Sequence, residues 1–237
     1  MIITPFKNPF SARISRGVSF NPADYNVYNY WNTSNQTIVG TTTTQQDIVG
    51  SLDMANPDAG SQPTYNAPFQ TYLTGDYLNV ASVNYRVSDT SGVITGKFKP
   101  TIATGIQGLF QIATDGNNRV YIYYINKRLR IAVLKASVGV YLQYAVDLVL
   151  NDEYVYSFYS TGSSLKLVLN GTLRTLTPVA GSNTGQWLAY VNTSAYLRIG
   201  EGQSDIQYTM YSQYISDLEV LNLNNELVGL EAYSSSF

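Results

Sequence analysis

Two carboxylates near the end of the chain, Asp217 and Glu219, have the spacing that comes nearest to acid–base chemistry. On a strand they would share one face about 7 Å apart, whereas the carboxyls of a retaining glycosidase lie about 5–5.5 Å apart. Asn222, and not another carboxylate, stands three residues after Glu219. The chain also contains no His and no Cys, which excludes imidazole bases and thiolate nucleophiles. These residues predict a solvated strand face and a protein that is not an enzyme.

Oxygen ligands that suit calcium occur in two predicted loops. Asp115 and Asn117 belong to the sequence Asp-Gly-Asn-Asn, and Asp205 ends the segment Glu-Gly-Gln-Ser-Asp. Ca²⁺ takes carboxylate and amide oxygens, but neither segment has the full spacing of a metal-binding loop. Asp-Gly-Asn-Asn is also typical of a hairpin turn. The sequence therefore predicts no cofactor, with calcium in these loops as the alternative.

Aromatic residues beside polar ones are candidates for binding sugars, which present apolar C–H faces and many hydroxyls. Gln186 with Trp187, and Tyr208 with Tyr211, are the candidates in a chain that contains 21 Tyr residues. Trp187 also suits a core position, and tyrosine is in any case a common strand residue. Tyr208 and Tyr211 stand among polar residues, so we expect them to be exposed.

The strands that must position these residues are predicted most clearly between Asn151 and Pro178. Glu153 to Ser160 is rich in Tyr, Val and Phe, and a flexible Thr-Gly-Ser-Ser turn follows it, which predicts one hairpin. Asn170-Gly171 predicts a second hairpin with a type I′ turn, because both central residues of that turn need positive φ. A two-residue turn there places Val168 opposite Leu173 and Leu165 opposite Leu176.

Strand signals recur along the rest of the chain at short intervals, and no convincing amphipathic helix interrupts them. Further strands are predicted at Tyr77–Val87, Val93–Phe98, Gly108–Ala113, Arg119–Ile125, Arg128–Leu134, Val140–Leu148, Gln186–Val191, Ala195–Ile199 and Tyr214–Leu223. About a dozen strands without helices predict an all-β, two-sheet antiparallel sandwich or jelly roll.

The first 20 residues differ from the rest. They combine two prolines with an excess of basic residues and isolated aromatics, among which Phe6, Phe10, Arg13 and Arg16 are candidates for attachment to a particle. Such a segment cannot bury its own apolar groups, so we predict an extended arm. From Asn21 to Gln70 the chain is polar with short apolar fragments, which predict edge strands and loops on a larger sandwich.

Charge limits the partners. The net charge is -2 and only 13% of residues are charged, so no basic surface for nucleic acid or membrane is expected. No apolar run is long enough to span a membrane, and the first residues do not resemble a signal peptide.

Four segments in order resemble the concanavalin A-like lectin/glucanase superfamily, and within it the laminin G-like modules of bacteriophage structural proteins. They are GVITGKFKP, EYVYSFYSTGSSLKLVLNGTL, YLRIGEG and YISDLEVLNLNNEL, preceded by WNTSNQTIVG, DIVGSLDMANPDAG, QPTY and GDYLNV. The resemblance implies a concanavalin A-like jelly roll over residues 21–232, between the arm at 1–20 and a tail at 233–237. It also implies binding of glycans, calcium or other proteins. The carboxylate pattern E-x-D-x-x-E of the superfamily's β-glucanases is absent.

Three hypotheses about function follow. The first is a non-enzymatic virion protein, a capsid decoration, fibre or tail-associated protein assembled in the host cytoplasm, which displays a lectin-like domain. Its partners would be other virion proteins and host cell-surface glycans, and display as a homo-oligomer would strengthen weak binding. The second is a free carbohydrate-binding lectin or adhesin. The third, a glycoside hydrolase, is disfavoured by the missing carboxylates.

Overall fold

The structure is a computed structural model that describes residues 29–47, 50–66, 69–73, 75–81, 84–200, 206–208 and 211–215. The strands in these ranges are β1 Asn29–Val39, β2 Thr42–Asp47, β3 Met54–Ala55, β4 Thr64–Asn66, β5 Phe69–Tyr72, β6 Leu78–Ala81, β7 Gly92–Phe98, β8 Ile106–Asp115, β9 Asn118–Ile125, β10 Arg128–Lys135, β11 Val138–Tyr144, β12 Tyr154–Ser160, β13 Leu165–Leu169, β14 Thr172–Arg174, β15 Leu176–Ala180, β16 Tyr196–Ile199, β17 Ile206–Tyr208 and β18 Tyr211–Ile215. A short 3-10 helix, Ala59–Ser61, and a single-turn α-helix, α1 Leu188–Val191, complete the described elements.

Fifteen of the described strands form one antiparallel ladder in the order β14-β13-β12-β7-β18-β1-β2-β3-β6-β16-β8-β9-β10-β11-β15, and β17, β5 and β4 form a smaller sheet. The ladder turns back on itself, so that the sheet around β7, β12 and β13 faces the sheet around β8, β9 and β10. Their side chains meet in one core, to which the first sheet contributes Ile94, Phe98 and Phe158 and the second Val120 and Ile131. This is the two-sheet sandwich predicted from the sequence, and the fold class is confirmed.

The hairpin at Asn170-Gly171 forms as predicted. The two residues have φ angles of 48° and 70°, the left-handed values of a type I′ turn. Val168 pairs with Leu173 across β13 and β14. The side-chain oxygen of Asn170 also accepts a hydrogen bond from the backbone N–H of Val155 at 2.8 Å.

The predicted pairing of Leu165 with Leu176 is wrong. Leu165 pairs with Ser160 in β12, and Leu176 pairs with Tyr144 in β11 of the other sheet. The side-chain amide of Asn183 takes the place of a strand beside Leu165, since it accepts from the Leu165 N–H at 2.7 Å and donates to the Leu165 carbonyl at 2.8 Å. β14 therefore ends at Arg174, and the chain crosses to the second sheet.

The strand predicted at 186–191 is instead helix α1, which packs against β9 and β10. Trp187, Leu188 and Val191 are all buried, and their spacing places them on one face of a helical turn. Asn192 ends the helix in the left-handed conformation, with φ at 56°. A single turn that is apolar on one face has too few residues to show a helical period in the sequence.

β1 and β2 are not edge strands, contrary to the prediction for residues 21–70. β1 pairs with β18 on one side and β2 on the other, and β2 pairs with β3.

The arm at 1–20 and the tail at 233–237 lie outside the described residues, so the domain boundaries stay a prediction. Within the described part of the chain, no helix is long and apolar enough to cross a membrane.

Candidate functional site

Of the predicted sugar-binding residues, the structure describes the side chains of Trp187 and Gln186. Trp187 is 1% exposed and belongs to the core, so its ring is not available to a ligand. Gln186 is half-buried, and its side-chain oxygen has no hydrogen-bond partner among the described residues. Tyr208 lies in β17 of the small sheet and Tyr211 in β18 of the long ladder, and their side chains lie outside what the structure describes.

Asp115 forms a hairpin turn between β8 and β9. Its carboxylate accepts hydrogen bonds from the backbone N–H groups of Asn117 and Asn118 at 2.7 and 2.9 Å and from the Asn118 side chain. These bonds, led by the one from Asn117, lower the pKa of Asp115. The Asn117 side-chain oxygen accepts from the Ser137 hydroxyl at 2.8 Å. The side-chain oxygens of Asp115 and Asn117, which the sequence suggests as calcium ligands, thus accept hydrogen bonds that stabilise the turns at this end of the sheet.

Other predicted residues cannot be placed. Asp205, the carboxylates Asp217 and Glu219, and the attachment candidates at positions 6, 10, 13 and 16 lie outside the described residues. Among the residues that are described, no three Asp or Glu side chains cluster where they could hold a metal ion. Binding of calcium therefore stays a prediction without a described site.

A surface that the sequence analysis did not single out lies on the outer face of the second sheet. Along β9, Val120, Ile122 and Tyr124 point into the core, so the alternating residues Arg119, Tyr121 and Tyr123 lie on the opposite face. On that face Tyr121 and Tyr123 form a second buried cluster with Ala132 and Leu134, against which Tyr141 packs. Neighbouring strands add polar and aromatic residues on the same side. We call this surface the tyrosine–arginine face, and it consists of Tyr77, Asn79, Gln111, Arg119, Tyr121, Tyr123, Arg130, Tyr141, Gln143, Tyr196 and Arg198.

Strand register sets these residues in rows across the sheet. Tyr121 stands opposite Gln111 in β8 and opposite Ala132 in β10, and the same row continues to Arg198 in β16 and Tyr141 in β11. In the next row, Tyr123 stands opposite Arg130, which stands opposite Gln143. The side chains of a row lie on one face because cross-strand neighbours in an antiparallel sheet point the same way.

Tyrosine rings form the lower layer of the face and arginine side chains lie over them. The rings of Tyr121 and Tyr123 stack with centroids 4.8 Å apart and an interplanar angle of 14°, and they are 8% and 6% exposed. The guanidinium carbon of Arg119 lies 4.9 Å from the Tyr121 centroid. Arg198 lies 3.9 Å from the Tyr196 centroid and 4.5 Å from that of Tyr77. Such contacts hold a guanidinium group in place while leaving its N–H donors at the edge.

Polar contacts hold the arginines further. The Nε of Arg130 donates to the side-chain oxygen of Gln143 at 3.1 Å, and that of Arg198 donates to Asn79 at 3.2 Å. Burial raises the pKa of Tyr123, and a hydrogen bond with Arg130 opposes this rise. Tyr123 therefore stays neutral at physiological pH and keeps a hydroxyl hydrogen for bonding.

The charged residues of the face are all basic: Arg119, Arg130 and Arg198 belong to it, and its other members are Tyr, Asn and Gln. β8, which supplies Gln111, contains one carboxylate, Asp115, at its end in the turn to β9. Arg128 is paired with Asp147, whereas Arg119 and Arg130 form no ion pair within the described ranges. The Nε of Arg119 is buried and has no hydrogen-bond partner there. The face thus offers cationic donors, amides and phenolic hydroxyls, and the carboxylate of β8, Asp115, is bonded within the turn to β9.

Part of this surface could have been found in the sequence. Residues 119–125 read RVYIYYI, in which Arg and Tyr alternate with core residues. Asn126 and Lys127 both have positive φ, the signature of a two-residue turn that aligns β9 with β10. That turn alone predicts Tyr123 opposite Arg130. The contribution of Arg198 could not be found this way, because β16 is distant in sequence.

Comparison by sequence with protein families and with curated proteins finds no match. Among solved structures, Trypanosoma rangeli sialidase in complex with a 2,3-difluoro-KDN ligand aligns at a TM-score of 0.60 and 9% identity, over 89% of this chain and 32% of that chain. The binding domain of botulinum neurotoxin serotype D aligns at a TM-score of 0.59 and 12% identity, over 88% of this chain and 51% of that chain. This chain therefore spans about a third of the sialidase chain and about half of the toxin chain, and its β-sandwich is a fold that they share.

Proposed function

We propose that this protein is a non-enzymatic glycan-binding module and that the tyrosine–arginine face is its binding surface. The observation that carries the proposal is a group of three fixed arginines: Arg119 and Arg198 lie over tyrosine rings, and Arg130 and Arg198 donate to Gln143 and Asn79. Sugars need several fixed hydrogen-bond donors and acceptors near aromatic groups.

Preorganisation supports this use of the face. Tyr121 and Tyr123 are held by stacking and by burial, and Arg130 is held by Gln143. A ligand would then meet donors that have already lost much of their side-chain freedom, which lowers the entropic cost of binding. Arg130, Tyr141 and Gln143 are part-exposed at the top of the layer, where a ligand can reach them.

The fold comparison adds weaker support. The sialidase structure contains a bound sugar acid, and this chain resembles about a third of that protein. A shared fold does not transfer a ligand, because the same sandwich hosts unrelated sites. None of the residues of the face is a carboxylate, and Asp115 at the end of β8 is bonded within its turn, which favours binding over hydrolysis at this surface.

A glycan array probed with the full-length protein tests the proposal. We expect binding to a defined group of glycans, and we expect the double variant Tyr141→Ala/Arg130→Ala to bind them more than tenfold more weakly. A charge-assisted hydrogen bond alone is worth about 1.5–3 kcal/mol, and about 1.4 kcal/mol corresponds to tenfold. The matched control Tyr65→Ala/Lys166→Ala removes one tyrosine and one cation outside the face and should bind like the wild type. No glycan binding by the wild-type protein, or equal loss in the control, would overturn the proposal.

We further propose, as the wider setting, that the module is displayed on a virion through the arm at residues 1–20. The support is the laminin G-like resemblance together with the basic and aromatic residues Phe6, Phe10, Arg13 and Arg16. Deleting residues 1–20 should leave glycan affinity unchanged and remove the protein from purified particles of the virus that encodes it, as measured by copies per particle. Undiminished incorporation would contradict attachment through the arm.

A further inference from the structure

We infer that the ligand of the tyrosine–arginine face is an acidic oligosaccharide that carries more than one carboxylate. This inference rests on the proposed function and narrows it to a chemical class. Its basis is the charge and the separation of Arg119, Arg130 and Arg198, together with the absence of carboxylates on the strands that carry them.

The local charge is opposite in sign to that of the whole protein. The chain has a net charge of -2, yet the only charged residues of the face are Arg119, Arg130 and Arg198, and the one carboxylate of its strands, Asp115, lies in the turn at the end of β8. Arg119 and Arg130 have no carboxylate partner in the described part of the chain. Guanidinium groups that are part-buried without a counter-charge create a positive potential, which a bound anion would relieve. A neutral sugar would leave that potential uncompensated.

The spacing of the arginines selects the size of the ligand. Arg198 lies in the row of Tyr121 on β16, Arg130 lies one row further on β10, and Arg119 lies one row back on β9. With strands about 4.8 Å apart and a rise of about 3.4 Å per residue, the three Cα positions are about 12–16 Å from one another. A single sugar ring does not span this triangle, whereas an oligosaccharide with separated carboxylates does.

The surroundings of the arginines favour a sugar over a simple anion. Arg130 is flanked by Tyr123 in β9 and Gln143 in β11, and Arg198 by Asn79 and Tyr196. Neutral hydroxyl and amide groups next to each cation can bond to the hydroxyls of the ring that carries the carboxylate. An oligosaccharide of uronic acids and one of sialic acids share this chemistry.

Calorimetric titration of the full-length protein with size-matched oligosaccharides tests the inference. The probes are a uronic acid oligomer, an α-linked sialic acid oligomer, a neutral glucose oligomer and a single-stranded DNA oligomer. We expect at least one of the two acidic sugars to bind at least tenfold more tightly than the neutral one. Affinity should fall as salt is raised from low to physiological concentration, because ion pairs at a surface are screened. Comparing the titrations with the uronic acid oligomer and the sialic acid oligomer identifies which kind of carboxylate the face binds.

Charge-neutralising variants test which arginines are responsible for binding the acidic oligomer. Arg130→Gln keeps hydrogen-bond donors and removes the charge, and we expect it to weaken binding of the acidic oligomer at least fivefold and to flatten the salt dependence. Arg119→Gln/Arg130→Gln should weaken binding at least tenfold, Arg130→Lys should restore part of the affinity, and Lys166→Gln on the other sheet should change nothing. Thermal unfolding of each variant, compared with that of the wild type, checks that the fold is kept.

Each alternative outcome is distinct. Equal affinity for neutral and acidic oligomers would overturn the inference and leave the glycan-binding proposal standing. Tighter binding of DNA than of any sugar, or unchanged binding of the acidic oligomer by the double arginine variant, would also overturn the inference. Binding to no glycan at all would remove both the inference and the proposal on which it rests.

Discussion

Replacing Phe98 with alanine should lower the free energy of unfolding by about 3–5 kcal/mol, the usual cost of removing a buried aromatic side chain. Phe98 is 0% exposed at the end of β7. Its ring centroid lies 5.7, 5.9 and 6.2 Å from those of Tyr154, Tyr156 and Tyr124. These partners come from both sheets, so the cavity cannot close without moving one sheet relative to the other.

Urea unfolding of the full-length variant measures this loss. Phe98→Leu keeps much of the apolar volume and should cost only about 1–2 kcal/mol, because volume-conserving changes are tolerated best. Val179→Ala, at a part-exposed position of β15, should change stability by less than about 1 kcal/mol. A loss for Phe98→Ala no larger than that for Val179→Ala would contradict the role of Phe98 as a tie between the sheets.

Replacing Gly185 with alanine should lower the free energy of unfolding by about 2–4 kcal/mol, for two separate reasons. Gly185 has a φ of 69°, where residues with a Cβ are strained by about 1–2 kcal/mol. A Cβ would also overlap the backbone nitrogens of Ser163 and Ser164 in the turn between β12 and β13. The Gly185 carbonyl accepts from the Ser160 hydroxyl at 2.6 Å, so the segment cannot move away without breaking a buried hydrogen bond.

Gly116→Ala is the matched control for Gly185. Gly116 lies in the exposed turn between β8 and β9, and an added Cβ there would meet no atom within 4 Å. We expect the free energy of unfolding of this variant to lie within about 0.5 kcal/mol of that of the wild type. Equal unfolding free energies for the two alanine variants in urea would show that the contact between Gly185 and the β12–β13 turn does not constrain the fold.

The elements that the sequence predicts well are those whose geometry is local. Asn170-Gly171 specifies its own turn through two positive φ angles, and that turn aligns Val168 with Leu173. The prediction fails two residues beyond Arg174, where the side chain of Asn183 replaces the expected strand beside Leu165. Whether a strand continues or crosses over depends on a residue that is remote from the hairpin, and periodicity carries no information about it.

The residues of the tyrosine–arginine face also differ in whether local sequence predicts their position. Arg119, Tyr121 and Tyr123 follow from alternation along β9, but Arg198 joins them only through the pairing of β16 with β8. Trp187 and Gln186 looked suitable for sugar because a large aromatic stood beside an amide, yet the core required the indole. A large aromatic residue in a sequence indicates burial at least as strongly as it indicates a binding surface.

The two strands at the ends of the fifteen-strand ladder, β14 and β15, follow each other directly in the chain. β14 has only three residues, and β15 contains Pro178, which has no N–H to offer a neighbouring strand. Short strands and proline at an edge are devices that discourage another chain from extending a sheet. Among the described strands, the two ends of the long ladder are therefore poor sites for adding a strand from another copy, and assembly of several copies through them should proceed through side-chain surfaces.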